Sequence, residues 1–353
     1  MKILQLIISR LSYGLLVIVL VATGVSALIF LGQVDPARLT FGQRADVKTV
    51  EAKREAMGLD DPLRIQLARY LGDVSPIQWI KKPRLQTLDY SYSTFFQSAE
   101  RKLILKFPYL RESYQSGRRV SQLIKEAFPV TLLLAVSSFG IALIIGLFLG
   151  ILSAIKYDSI WDRLIIGLSS IGYSLPSYVV AMVVAIIFAY YLQWLTGLNI
   201  QGSIFELDEL GNDVVVWKNL ILPSIALGIR PLAVITQITR SSMLDALSQG
   251  FVQTAKAKGL AFTQIIKKHV FRNALNPIAT AVTGWFASLL AGAFFVETVF
   301  NFKGLGSLTV NALLTYDLPV ILACIIFTSS LFVLINLMTD ILYLIIDPRQ
   351  KTA

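Results

Sequence analysis

Few side chains in this sequence have a type and spacing that could carry chemistry. The single histidine, His269, follows two lysines on an amphipathic stretch, far from any cysteine or paired carboxylate, so packing or hydrogen bonding explains it better than metal binding or nucleophilic work. The single cysteine, Cys324, lies in an apolar run without a second thiol, which excludes a disulfide framework and marks it as a small core hydrophobe. Glu206, Asp208, Glu209 and Asp213 cluster without calcium-loop spacing and read as a solvated outer face. No Gly-x-x-x-x-Gly-Lys-Ser/Thr phosphate loop occurs, so ATP cannot be held in that manner. With one histidine remote from Ser or Asp in a shared segment, neither a triad nor a metal dyad can be assembled. The chain is expected not to be an enzyme, and no cofactor or metal is expected.

Two charged residues stand out by position. Arg230 lies well inside an apolar segment, where a charge faces a water-filled path or a partner rather than lipid. The competing explanation is a guanidinium that satisfies a carbonyl freed by Pro231, which has no N–H of its own. Glu297 stands just beyond another apolar segment, as either a functional contact or an ordinary interface carboxylate. Arg230 and Glu297 are the pore or gate candidates.

The elements that must position these residues are membrane helices. Of 353 residues, 55% are hydrophobic and 15% charged, with a mean hydropathy of +0.66, against about 25% charged in a soluble globular chain. A helix rising about 1.5 Å per residue needs roughly 20 apolar residues to cross the hydrocarbon core. Six stretches are expected to do so: Leu11 to Leu31, Phe128 to Ile155, from beyond Arg163 to near Trp194, Asn219 to Met243 (interrupted by Arg230 and Pro231), Leu275 to Val296, and Pro319 to Ile346. Trp161, Trp194 and Trp217 stand at span ends, as interfacial aromatics do. Val25-Ser26-Ala27 resembles a signal-peptidase site, but the apolar run continues past it to Leu31, long enough to anchor.

The net charge of +10 is spread over loops bordering apolar spans, which points to the membrane surface rather than nucleic acid. Lys2, Arg10, Lys156, Arg163, the group from Arg240 to Arg272, Arg349 and Lys351 place both termini on the cytoplasmic side, against Lys218 and Lys303 in short outer loops. The expected organisation is an N-terminal helix (1–34), an outer loop region (35–126) and a five-helix core (127–353). Pro36, Pro62, Pro76, Pro83 and Pro108 break the outer loop into short elements and make it a small folded region. It could receive a partner or merely cover helix ends.

The informative loop runs from Asp245 to Pro277. Leu244, Leu247, Phe251, Ala255 and Lys258 follow helical spacing, Gly259 suits a left-handed helix stop, and a second amphipathic stretch begins near Phe262. Two short helices joined at Gly259 would project below the membrane. The residues alone leave two readings open: a docking element for a cytoplasmic partner, or an interfacial segment binding anionic lipid through Lys256, Lys258, Lys267 and Lys268.

At this segment the chain resembles the membrane subunits of bacterial ABC importers of the dipeptide, oligopeptide and nickel family, in particular their dipeptide-permease B-type subunits. The resemblance rests on Thr254-Ala255-Lys256-Ala257-Lys258-Gly259, on His269 to Leu275 with Pro277, on Met57-Gly58-Leu59-Asp60 with Pro62-Leu63, on Arg240 to Leu244, on Val296 to Phe300 with Gly304-Leu305-Gly306, and on Asp340 to Asp347-Pro348-Arg349. It implies an all-α polytopic fold of six helices in the bacterial inner membrane, with a second homologous permease, two ATP-binding subunits and a periplasmic or lipid-anchored solute-binding protein as partners. It also implies alternating access driven by those ATPases, with Thr254 to Gly259 as the coupling helix. Gly250 and Gln253 depart from the family's acidic and basic residues, and Ser93 to Tyr114 looks like an insertion. Di- or oligopeptides are the expected solute, with nickel complexes, polyamines and glutathione open. A self-sufficient secondary transporter or channel would show an inverted hydropathy repeat and intramembrane acidic relays; the sequence has neither.

Overall fold

The computed structural model describes residues 2–31, 60–81, 91–98, 101–208 and 210–346, with isolated positions between 48 and 55. Pro36, Pro83, Met57 to Leu59, Glu209, Asp347 to Arg349 and Lys351 lie outside the described residues. In chain order the elements are α1 (Lys2–Leu31), α2 (Leu63–Val74), β1 (Ile77–Lys81), β2 (Tyr92–Gln97), β3 (Arg101–Lys106), α3 (Val120–Ile155), α4 (Ile160–Ser174) and α5 (Ser177–Val184). A π-helical stretch, Ala185–Tyr191, prolongs α5. There follow β4 (Phe205–Leu207), β5 (Asp213–Val215), α6 (Lys218–Leu247), α7 (Gly250–Ala257), α8 (Phe271–Gly292), α9 (Phe294–Val299), α10 (Leu305–Leu314) and α11 (Leu318–Ile346).

Among the described residues, four helices are long and apolar enough to cross a membrane by themselves: Ile8–Ala27, Val120–Ile155, Lys218–Leu247 and Leu318–Ile341. The pair 160–191 makes a fifth if counted as one span, although its halves meet at 112°. The third span is therefore bent where the sequence suggested a continuous crossing. The cause is local: Pro176 clashes with a helical residue before it, and Leu175 takes the extended backbone (φ −76, ψ 138) that ends α4. The expected interruption of the next span is absent, because α6 runs without a break through Pro223 and Pro231. Proline is tolerated inside packed membrane helices when neighbours satisfy the freed carbonyls. The remaining span expected from sequence corresponds to α8, whose 22 residues extend roughly 33 Å.

The chain divides into two compact units. The first comprises residues 1–7, 128–307 and 331–353, and its core gathers Leu134 and Ala135 of α3, Ala181 and Val184 of α5, Leu222 and Ala226 of α6, Leu289 of α8, and Val296 and Phe300. Small residues let α3 and α6 approach backbone to backbone. A Cβ added at Gly150 would stand 2.5 Å from Thr239 Cβ and 2.7 Å from the Thr236 carbonyl, and one at Gly228 would stand 2.9 Å from the Ser138 carbonyl. Close contact of this kind is how helices associate where lipid is as apolar as the side chains.

The second unit comprises residues 8–127 and 308–330. Its outer region adds a three-stranded antiparallel sheet, in the order β1-β3-β2, which sequence reading had reduced to short elements. The apparent insertion from Ser93 to Tyr114 contains most of β2 and all of β3. Asp73 at the end of α2 ties the region together: its carboxylate accepts from Arg111 at 2.7 Å and its carbonyl accepts from Lys106 Nζ, also at 2.7 Å. The Arg111 guanidinium lies over the buried Tyr70 ring, 5.3 Å from its centroid. Burial pushes the Tyr70 hydroxyl well above its usual range. Before α11, the Asp317 carboxylate accepts from the Ser113 hydroxyl at 2.5 Å and the Tyr114 N–H at 3.0 Å, fastening the outer loop to that helix.

Gly150→Leu should overpack the α3–α6 contact and destabilise the protein by about 2 kcal/mol. Thermal unfolding of the detergent-solubilised protein checks this, and Gly167→Leu, at a position with open space around it, should leave the transition unchanged.

Candidate coupling segment and pathway residues

The segment after α6 is built from a short helix with two dissimilar faces. In α7, Val252 and Ala255 turn inward and are 2% and 6% exposed. They enter a cluster with Met243 and Ala246 of α6, Ile265, Ile266, Val270, Ala274 of α8 and Ala154 of α3. Gln253, Thr254, Lys256, Ala257, Lys258 and Gly259 are exposed. Five of the six expected coupling residues are thus exposed, and Ala255 is turned inward as an anchor.

Gly259 ends α7 in the left-handed region at φ +74. Its N–H bonds the Lys256 carbonyl at 2.9 Å, and the Leu260 N–H bonds the Ala255 carbonyl at 3.3 Å, the paired bonds of a Schellman stop. The stretch from Phe262 is not a second short helix. It passes through a helical turn (Phe262–Gln264) and a π-helical stretch (Ile265–Val270) directly into α8, because nothing before Pro277 breaks it and Pro277 is itself accommodated inside α8. Leu260 and Phe262, exposed beside Gly259, extend the accessible surface with apolar area that sequence reading passed over. His269 contributes its carbonyl to the Asn273 amide at 2.8 Å.

Above this segment lies an interaction that the sequence did not disclose. Arg240, about two turns before the end of α6, donates from Nε at 2.7 Å and from the terminal nitrogen at 2.8 Å to the two oxygens of Asp162 in α4. Asp162 also accepts the Ser153 hydroxyl of α3 and, at 3.0 Å, the Asp158 N–H. The Arg240 guanidinium lies 5.4 Å from the centre of the Tyr157 ring. With Asp162 4% and Arg240 25% exposed, this is a nearly buried, fully satisfied bidentate pair joining three helices. The available signal was an acidic residue in the first turn of an apolar helix, which requires a partner.

The two pathway candidates occupy contrasting environments. Glu297 in α9 is fully buried; its carboxylate accepts the Thr131 hydroxyl at 2.7 Å and the Ser307 N–H at 2.9 Å, and the Gly306 N–H also points to it. The Thr131 oxygen in turn accepts the Leu305 N–H at 2.7 Å. The free donors at the start of α10 are thereby capped by a carboxylate, as helix N-termini favour. Gly304 makes room for it, since a Cβ there would stand 2.5 Å from both Glu297 oxygens. Glu297 lies beyond the expected fifth span, and burial pushes its carboxyl up to about 7. Arg230 is half-buried in mid-α6, with its guanidinium 5.7 Å from the centre of the Tyr173 ring of α4. Its Nε is buried without an acceptor, so the carbonyl-pairing explanation is not realised.

Residues 146–352 match the family described as binding-protein-dependent transport system inner membrane component, and residues 3–135 match the N-terminal family of the same membrane components. The chain belongs to this family. It is a membrane-spanning permease subunit of an ABC importer, with ATP hydrolysis carried out in a separate subunit. The permease is 34% identical over 348 residues to a Brucella abortus chain named as a peptide transport system permease protein, covering 98% of each. It is 33% identical over 348 residues to the glutathione transport system permease protein GsiC of Salmonella paratyphi A, covering 99% of each. In fold it is similar to a chain of the MetNI methionine ABC transporter, with a TM-score of 0.51 at 17% identity over 64% of this chain and 97% of that one. As an importer permease it is a multi-pass inner-membrane protein that works with ATPase and substrate-binding partners.

Removing one member of the buried pair leaves the other charge uncompensated, so Arg240→Ala should cost about 3 kcal/mol. Adding Asp162→Asn should restore part of that loss in a thermal-stability double-mutant cycle. Glu297 gives a pH signature of known sign. Its carboxyl lies at about 7 in the folded protein against an ordinary 4.5, so its contribution is full below 4.5 and is lost as the pH rises through 7. Between pH 5 and pH 8 the wild-type melting temperature should fall by about 3 °C more than that of Glu297→Gln.

Proposed function

We propose that this permease crosses the membrane six times with both termini in the cytoplasm and pairs with a second, homologous permease. Two ATP-binding subunits dock below, and a periplasmic or lipid-anchored binding protein delivers the solute. Thr254, Lys256, Ala257, Lys258 and Gly259 form the docking surface for one ATPase, and Ala255 fixes that surface to the membrane part. Di- or oligopeptides are the solute, a reading supported by the name of the Brucella relative; the Salmonella relative's glutathione, itself a small peptide, fits the same class. Arg230 lines the pathway. Glu297 holds the start of α10 in place at the pathway's outer end.

The observation that carries this reading is the attachment of α7. A transmitted motion requires a stiff contact, and α7 is held on its inner face by a buried cluster to which α3, α6 and α8 all contribute, while its outer face presents two lysines and small residues. The lipid-binding alternative explains the lysines but not the exposed Thr254, Ala257 and Gly259 between and beside them.

Purification of the tagged chain from its native membrane in mild detergent should recover a second multi-span permease and P-loop ATPases. Lys256→Glu with Lys258→Glu should weaken retention of the ATPase about tenfold or more and stop uptake, with membrane levels of the chain unchanged. Full uptake in that variant would remove the coupling role from this segment. A chain that purifies alone and moves solute in liposomes without ATP would overturn the importer assembly itself.

A further inference from the structure

Arg230 is a cation in search of a counter-charge. Among the described residues no carboxylate pairs with it, its Nε is buried without an acceptor, and its guanidinium lies 5.7 Å from the centre of the Tyr173 ring. The other arginine deep in the helices, Arg240, shows what satisfaction looks like here: a carboxylate gripped by two nitrogens and a tyrosine face at 5.4 Å. Arg230 has the tyrosine and lacks the carboxylate.

The surface around it mixes polar groups with exposed apolar side chains such as Leu168 and Ile171 of α4. Down the incompletely buried side of α6, Arg230 is followed at helical spacing by Val234, Gln237 and Ser241, and the Gln237 amide has no hydrogen-bond partner among the described residues. Tyr173 is 46% exposed, with Ser170 and Ser174 exposed beside it on α4. The serine hydroxyls are satisfied within α4, by the Ile166 and Ser170 carbonyls, but a charge and a free amide on the open side of α6 imply water or a polar passenger next to them. A guanidinium fixed from one side by an aromatic ring offers its remaining N–H fork to a planar anion.

We propose that Arg230, steadied by Tyr173, is a binding site for a carboxylate of the solute in transit, so that the permease itself favours passengers with a free carboxyl terminus. This rests on the import reading above and adds selectivity inside the membrane to whatever the delivering protein exerts.

The test uses the full-length chain purified alone in detergent, with trialanine and trialanine amide as probes in saturation-transfer NMR, which reads millimolar binding. The wild type should bind trialanine in preference to the amide, Arg230→Gln should weaken trialanine about tenfold, and Arg230→Lys should retain part of the preference. Size-exclusion profiles establish that the variants are folded, and the Lys variant keeps the comparison valid if the Gln variant is not. Equal binding of both probes by the wild type, or unchanged trialanine binding in Arg230→Gln, overturns the proposal, as does absence of binding. If, in addition, Arg230→Gln loses the second permease on co-purification, the missing carboxylate belongs to that subunit instead. Trialanine uptake by cells lacking this gene tests the import reading separately: undiminished uptake sinks that reading and leaves the binding result standing.

Discussion

A carboxylate that is 4% exposed in a helical bundle is held there by the groups around it. For Asp162 those are the two nitrogens of Arg240, the Ser153 hydroxyl and the Asp158 N–H. Taking the two ions out of water is costly, and only complete hydrogen bonding with good geometry offsets it. The geometry here requires the start of α4, the end of α3 and the last turns of α6 to keep one arrangement. Since α6 leads directly to α7, that arrangement also fixes where the exposed lysines stand. Movement of α6 relative to α3 and α4 would strain this pair. The π-helical stretch Ile265–Val270, between this cluster and α8, is the place where the regular helical ladder is relaxed.

The other end of α6 is held by different chemistry. Asn219 donates to the Ser203 carbonyl at 2.8 Å and to Glu206 at 3.0 Å, and the Gly202 N–H bonds the Phe300 carbonyl at 2.9 Å. Phe300 follows α9, whose Glu297 caps the start of α10. The helix is therefore pinned near both ends, by an amide network at Asn219 and an ion pair at Arg240, roughly 31 Å apart along its axis. Arg230 sits between the two pins, its guanidinium 5.7 Å from the centre of the Tyr173 ring.

Much of this was legible in the sequence, for physical reasons that differ element by element. The apolar helices were readable because hydrocarbon permits few alternatives to a helix. The stop at Gly259 was readable because a left-handed C′ position selects glycine. The 112° bend at Leu175-Pro176 was not, since a proline inside an apolar run kinks one helix and is absorbed in another; Pro223 and Pro231 are absorbed within α6. Nor was the Asp162–Arg240 pair, whose members are 78 residues apart in the chain. Ala255 and Glu297 were both singled out by position, but only packing could reveal that each faces inward. The sheet of the outer region escaped because strand pairing depends on a partner strand that local pattern does not name.

The lysines of α7 and the arginine of α6 also differ in how they meet dissolved salt. Lys256 and Lys258 are exposed, so any attraction they exert decays over about 8 Å at physiological ionic strength and less in brine. The Asp162–Arg240 pair is nearly closed to ions. Concentrated salt can therefore detach a partner held through those lysines while the helices above keep their arrangement. A partner held there could be released and bound again without rebuilding the helices.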